Sequence, residues 1–282
     1  MTIILLFIFC LLIINSNITK LAVISTCKLW LSSLVPVLYP TSICLDLLFK
    51  SYCIDLFCFY LYKPFSYIFN IKSYKSIELI IISIICGAPL STKIIKKSIE
   101  ENTISNHEGN MITIFFSSFS ISYIIYISSI SNSNIFKYYF TYFIFSIIFM
   151  HLFNKPNDKN IENNRPQKTN NNFINLLFDS ITKNTNIMLF ILGIMIILKS
   201  LLDIFHTPII IYSYFEILNG NNLLITLGIN KKLKEAILFS SLSFLGFSSH
   251  LQIIYVYPEI KYKLFFIYRF FIGFSFFIIF FI

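Results

Sequence analysis

Apolar runs follow one another along almost the whole of this sequence, with little charge between them. Stretches at 3–14, 29–49, 52–69, 77–90, 111–130, 135–153, 187–205, 208–228, 236–257 and 264–282 are dominated by Ile, Leu, Phe and Tyr. Only 12% of the residues are charged, against about 25% in an ordinary soluble domain. A soluble all-α protein with an oversized core is excluded on that ground, because too little polar surface is left to cover the core. The expected fold is an all-α polytopic membrane protein. It has about seven or eight transmembrane or re-entrant helices, counting as spans the runs near 20 residues long.

The order of the runs suggests four regions. Residues 1–19 form a short N-terminal membrane helix. The first basic residue is Lys20, and without a basic start or a small-residue cleavage site the run reads as retained rather than as a signal peptide. Residues 20–153 make a first membrane half, with Pro36 and Pro40 inside the first long run and Lys63-Pro64 breaking the next. Residues 154–172, "NKPNDKNIENNRPQKTNNN", are polar and Asn-rich, the composition of a solvated linker. Residues 173–282 make a second membrane half. Each half passes from a long helix through a broken apolar segment to two further spans. Repeats of this kind are typical of secondary transporters, whose site lies at the repeat interface.

Composition removes several other readings. Phe occurs 33 times and Tyr 17 times, so aromatic residues mark lipid-facing and packing positions rather than a ligand box. The net charge of +9 fits loops held at an anionic leaflet, and no folded basic domain calls for nucleic acid. The six cysteines contain no CxxC and no Cys/His spacing for a metal, so they read as small buried hydrophobes. No phosphate-binding loop, zinc-protease motif or nucleophile elbow is present. A non-enzyme is therefore expected, without cofactor or metal. Its partners are the lipid bilayer and a small solute, and a homo-oligomer is compatible with the sequence.

Polar residues inside apolar runs are the candidates for function. In "CGAPLSTK" (86–93), Gly87 and Pro89 break a helix, and a new helix can start with Pro89 in its first turn. Its free amides near Ser91 and Thr92 would attract an anion, and Lys93 adds a positive charge. A plain membrane exit at Pro89 fits the same residues equally well. "FEILNGNN" (215–222) places Glu216 and Asn219 on one helical face, with Gly220 as a stop; an interfacial loop is the simpler reading. Lys199 and Asp203 stand four apart and read as a structural pair. Arg269 lies in "LFFIYRFFIGFSFF" and needs a partner, a cavity or the interface. In "GFSSHLQIIY" (246–255), His250 and Gln252 are about 200° apart on a regular helix. If the helix loosens at Gly246, both can point into one cavity.

Together these stretches resemble the YlbJ-like sporulation integral membrane proteins, members of the wider nucleoside recognition or Gate domain set related to concentrative nucleoside transporters. "LVPVLYP" (34–40) is similar to the family's early Pro-x-x-x-Pro helix. "GAPLSTK" (87–93) is similar to its Gly-Tyr-Pro-x-Gly-Ala-Lys, "EILNG" (216–220) to its Glu-x-x-Asn-Gly, and "GFSSHLQ" (246–252) to its Gly-x-Ser-x-His-x-Gln. Arg269 follows at the family's spacing, and the resemblance covers about residues 20–280. Ser91 and Thr92 stand in place of Gly and Ala. "FSSFSISYII" (116–125) carries Ser118 and Ser120 but lacks the Asn and Pro of the corresponding family motif.

The resemblance implies a multi-pass protein of the membranes around the forespore of a sporulating bacterium. It would move a small anionic metabolite, dipicolinic acid, between compartments. A non-transporting scaffold for spore envelope assembly and nucleoside uptake or sensing are the alternatives. The implied binding residues are Gly87, Pro89, Ser91, Thr92, Lys93, Ser118, Ser120, Glu216, Asn219, Gly220, Gly246, Ser248, His250, Gln252 and Arg269.

Overall fold

The computed structural model describes residues 2–48, 51–131, 135–154 and 173–282. The expected linker at 154–172 lies outside these residues except for Asn154. Among the described residues all regular structure is helical. Six helical segments are long and apolar enough to cross a membrane: Ser16–Leu48, Asn106–Ile127, Ile135–Phe153, Phe173–Ile204, Lys231–Val256 and Tyr262–Phe281. The protein is an all-α polytopic membrane protein.

The outer helices present their apolar side chains outward. Helix α1 (Thr2–Ile14) buries none of its residues, as expected of a segment surrounded by lipid. Helices α2 (Ser16–Leu29) and α3 (Val35–Leu48) form one long rod. A widened π-turn at Trp30–Leu34 joins them. Pro36 follows at once and has no N–H to bond the preceding turn, so the local widening relieves that mismatch. Beyond it α4 (Tyr52–Phe69) packs on α5 (Tyr74–Ile85).

The inner elements are shorter and interrupted. α5 and α6 (Leu90–Glu100) form a hairpin. α7 (Asn106–Phe116) and α8 (Ile121–Ser131) form one broken helix, followed by the unbroken α9 (Ile135–Phe153). The 32-residue α10 (Phe173–Ile204) is about 48 Å long at 1.5 Å per residue and lies against α2 and α3. There Tyr39 and Thr185 hydroxyls meet at 2.8 Å, and the Ser180 hydroxyl donates to Asp46. Next come a second short pair, α11 (Ile209–Phe215) and α12 (Ile217–Thr226), a second broken helix, α13 (Lys231–Phe244) with α14 (Gly246–Val256), and the unbroken α15 (Tyr262–Phe281). Lys199 pairs with Asp203 at 3.0 Å, as their spacing predicts. It also donates to the Tyr212 hydroxyl at 3.2 Å, which ties α10 to α11.

α7 and α13 are the centre of the molecule. Every residue from Glu108 to Phe116 and from Ala236 to Phe244 is buried, so these helices are enclosed by protein on all sides. Their amino ends are fixed by side chains that accept first-turn N–H groups: Ser105 from Glu108 at 3.1 Å, and Asn230 from Lys232 at 2.9 Å. At the α7 end, Asn110 donates to the Tyr257 hydroxyl at 2.6 Å and accepts from the Lys261 N–H at 3.0 Å. That pair of bonds locks the loop after α14 onto α7.

The hairpin and the first broken helix cross backbone to backbone. Gly87 has φ +70°, and a Cβ there would stand 2.4 Å from the Ser120 nitrogen and 2.7 Å from the Ser118 oxygen. The left-handed backbone and the close approach both demand glycine. Gly193 on α10 has open space around it. Gly87→Ala should lower stability by about 2 kcal/mol or more, while Gly193→Ala should hold or raise it. Thermal unfolding of the detergent-solubilised variants checks the contrast; equal midpoints would contradict the crossing.

Candidate functional site

Four interruptions lie inside the protein. The α5–α6 hairpin turns at Cys86–Pro89, where the Ala88 N–H donates to the Ser118 carbonyl at 2.9 Å. The first broken helix is interrupted at Ser117–Ser120, and the Ser120 hydroxyl accepts from the Tyr123 N–H at 3.3 Å as α8 begins. The α11–α12 pair is broken at the single extended residue Glu216. The second broken helix is interrupted where Leu245 and Gly246 take φ +71° and +52°. A cavity of about 40 Å³ joins all four: Cys86 and Ala88, Phe119, Ser120 and Tyr123, Glu216–Leu218, and Ser248, Ser249 and Gln252 contribute to its wall. A smaller cavity of about 30 Å³ shares Cys86, Ala88 and Ser120 and reaches Pro89, Leu90 and Asn184.

The amino ends of four short helices border these cavities. Each carries about half a positive charge from its unpaired N–H groups. Glu216 answers one of them. Its carboxylate accepts from the Leu218 N–H at 3.2 Å, the Asn219 N–H at 2.7 Å and the Asn219 side-chain amide at 2.6 Å, and it is 1% exposed.

The carboxyl ends of α7 and α13 are handled by other side chains. Arg269 on α15 is fully buried. Its Nη2 donates to the Ile114 carbonyl at 2.8 Å, and its Nη1 lies 3.5 Å from the Ser243 carbonyl and 3.3 Å from the Tyr142 hydroxyl. The Phe265 and Tyr268 rings lie 5.2 Å from the guanidinium carbon. Two helix carboxyl ends supply about half a negative charge each, so one guanidinium balances both. Tyr142 donates to the Ser117 carbonyl at 2.5 Å and Ser146 to the Phe115 carbonyl at 2.7 Å. His250 Nε2 donates to the Phe244 carbonyl at 2.9 Å, and its ring lies against Phe244, Phe247 and Phe265.

The predicted residues therefore divide. Ser120, Glu216, Ser248 and Gln252 line the larger cavity, and Pro89 lines the smaller one. Gly87 and Gly246 make two of the breaks. Asn219 is buried and holds Glu216, and Gly220 lies against the Ser213 backbone. Ser118 donates to the Ser83 carbonyl at 3.3 Å. Ser91 and Thr92 are buried outside the two cavities, and Lys93 is exposed.

Four expectations change. The 86–93 stretch is an internal turn against Ser118 and not a plain exit. Gly220 does not stop a helix; α12 runs through it, because the Glu216 carboxylate starts that helix. His250 and Gln252 do not share a cavity, because α14 is regular beyond Gly246 and keeps them on different faces. Arg269 meets backbone carbonyls rather than the cavity. Comparisons with protein-family models, curated proteins and solved structures each found no match.

Sequence reasoning missed Cys86, Tyr123 and Ser249 in the wall, and Tyr142 as a cap. Ser249 adjoins a motif residue and was within reach. Tyr123 and Tyr142 belong to a residue type too common here to stand out.

Arg269→Met would leave the Ile114 and Ser243 carbonyls without a charged donor, at a cost of about 2–5 kcal/mol. Gln252→Ala should change stability little. Side-by-side unfolding midpoints check this, and an Arg269→Met protein as stable as the parent would contradict the capping role.

Proposed function

We propose that this chain is a membrane transporter for a small anionic metabolite, with the solute seated where the four interruptions cross. The observation that carries the proposal is the single cavity to which all four breaks contribute. Broken helices at a buried polar site are the usual construction of secondary transporters. The order of elements agrees: hairpin, broken helix and unbroken helix at 74–153, then short pair, broken helix and unbroken helix at 209–281.

Charge separation supports an anion. The negative helix ends of α7 and α13 are neutralised by Arg269 on their own side. The positive amino ends of α8, α12 and α14 border the larger cavity and that of α6 the smaller one, and together they exceed the single charge of Glu216. Dipicolinic acid, the solute implied by the resemblance to YlbJ-like proteins, is a small planar dianion of this class, and a forespore-surrounding membrane is the implied location. A space of about 40 Å³ holds a few waters and no such solute. Binding then requires the α5–α6 hairpin or the α11–α12 pair to move away from the broken helices.

A second reading, nucleoside transport, is favoured by one observation. The wall contains Glu216 and Gln252 and no lysine or arginine, a set that suits a neutral hydrogen-bonding solute.

Uptake of labelled dipicolinate and labelled uridine by proteoliposomes separates the two. The expected result is saturable dipicolinate uptake, lowered about tenfold or more by Ser248→Ala/Gln252→Ala, in line with losing hydrogen bonds to a charged group. Uptake of uridine alone would move the assignment to the second reading, and uptake of neither would overturn both.

A further inference from the structure

Buried hydrogen-bonding groups are almost always paired in folded proteins, so a buried group left unpaired beside a cavity points to something that occupies the cavity. Tyr123 is such a group. It is 5% exposed, it is in the cavity wall, and its hydroxyl makes no hydrogen bond of ordinary geometry among the described residues. Its main-chain N–H is already used by Ser120, so the ring is fixed in the first turn of α8 while the hydroxyl is not engaged. Asn221 on α12 stands beside it. Asn221 is fully buried, and the Ser241 hydroxyl donates to its Oδ1 at 3.1 Å, which orients the amide. Its Nδ2 also makes no bond of ordinary geometry, but the amide is close enough to act on the Tyr123 hydroxyl, and Asn221 is not itself among the residues of the cavity wall. Glu216, the carboxylate of the same wall, is spoken for by three donors of its own segment.

We propose that Tyr123, with the Asn221 amide beside its hydroxyl, is the specificity-determining residue of the cavity, donating to a carboxylate or carbonyl oxygen of the solute. The proposal rests on the transporter reading and adds the residue that chooses the ligand. The Tyr123 hydroxyl can accept from the Asn221 amide and still donate, and the charged acceptor nearby is occupied. The group it selects is therefore an oxygen acceptor, which a pyridine carboxylate and a uracil ring both carry. When the solute enters, its oxygen accepts the Tyr123 hydroxyl hydrogen, while the Asn221 amide holds that hydroxyl in place from the other side. A solute without such an oxygen leaves the Tyr123 hydroxyl hydrogen buried and unpaired and is rejected.

Tyr123→Phe removes the donor and keeps the ring, and Asn221→Leu removes the amide beside it. Purified parent and variant proteins in nanodiscs are titrated with dipicolinate and with uridine, and their unfolding midpoints are measured without ligand. The expected result is a Kd raised about tenfold or more for Tyr123→Phe, with a ligand-free midpoint unchanged or raised, because no internal bond of ordinary geometry is lost. A similar loss is expected for Asn221→Leu. If the parent binds a probe and Tyr123→Phe binds it equally well, Tyr123 does not read the ligand, and the transporter reading stands without it. If the parent binds neither probe, the proposed function fails. The midpoint then decides this inference: a clear fall in Tyr123→Phe shows a hydroxyl hydrogen paired inside the protein and overturns it, and an unchanged or higher midpoint supports it.

Discussion

One guanidinium holds the centre of this protein together. A helix broken inside a membrane protein leaves carbonyls on one side of the break and N–H groups on the other, and neither can turn to water. α7 and α13 both break there. Arg269, donating to Ile114 and approaching Ser243, serves the carbonyl ends of both from a third helix. Its burial would be costly without partners. With one full charge against two half-charges, the burial is offset, and the breaks are set beside each other. Tyr142, Ser146 and His250 complete the same task for the neighbouring carbonyls.

Everything at the cavity follows from that arrangement. Because the carbonyl ends are satisfied behind the breaks, the amino ends can remain open in front of them. Glu216 fills one, and Ser120 partly fills another. What is left is a small space with Leu34, Leu38, Ile191 and Met195 on one part of its wall, Ser120, Glu216, Ser248, Ser249 and Gln252 on another, and no lysine or arginine. The polar side chains of such a site are pre-organised where they stand on helices. It also suits a gate, because two of the elements around it are short helical pairs attached to the rest of the molecule through turns. The same backbone logic explains why glycine stands at two of the breaks. At Gly87 the hairpin lies directly on the Ser118–Ser120 backbone, and at Gly246 the chain passes through a left-handed step before α14 resumes.

Much of the fold was readable in the sequence, and the reason is physical. Scarce charge and repeated apolar runs leave a chain few options, so the membrane class followed from composition. Breaks at Gly87–Pro89 and Gly246 followed from residues that cannot continue a helix. The roles of Arg269 and His250 were not readable. A polar residue in an apolar run announces that it needs a partner, but backbone carbonyls occur at every position and carry no sequence signal. Glu216 was misread for a related reason. An acidic residue before "ILNG" can lie on a helix or start one, and here the Glu216 carboxylate accepts the Leu218 and Asn219 N–H groups and starts it. Tyr123 and Asn221 were invisible in a chain crowded with Tyr and Asn.

The central claim is that the four interruptions enclose one solute-accessible space, and Cys86 in its wall reports on it most directly. In proteoliposomes carrying a protein whose other cysteines are replaced by serine, the rate of Cys86 modification by a charged, water-soluble methanethiosulfonate can be followed with and without dipicolinate. The account predicts measurable modification, slowed by the solute. A thiol that never reacts, or one that reacts at the same rate with the solute present, would contradict it.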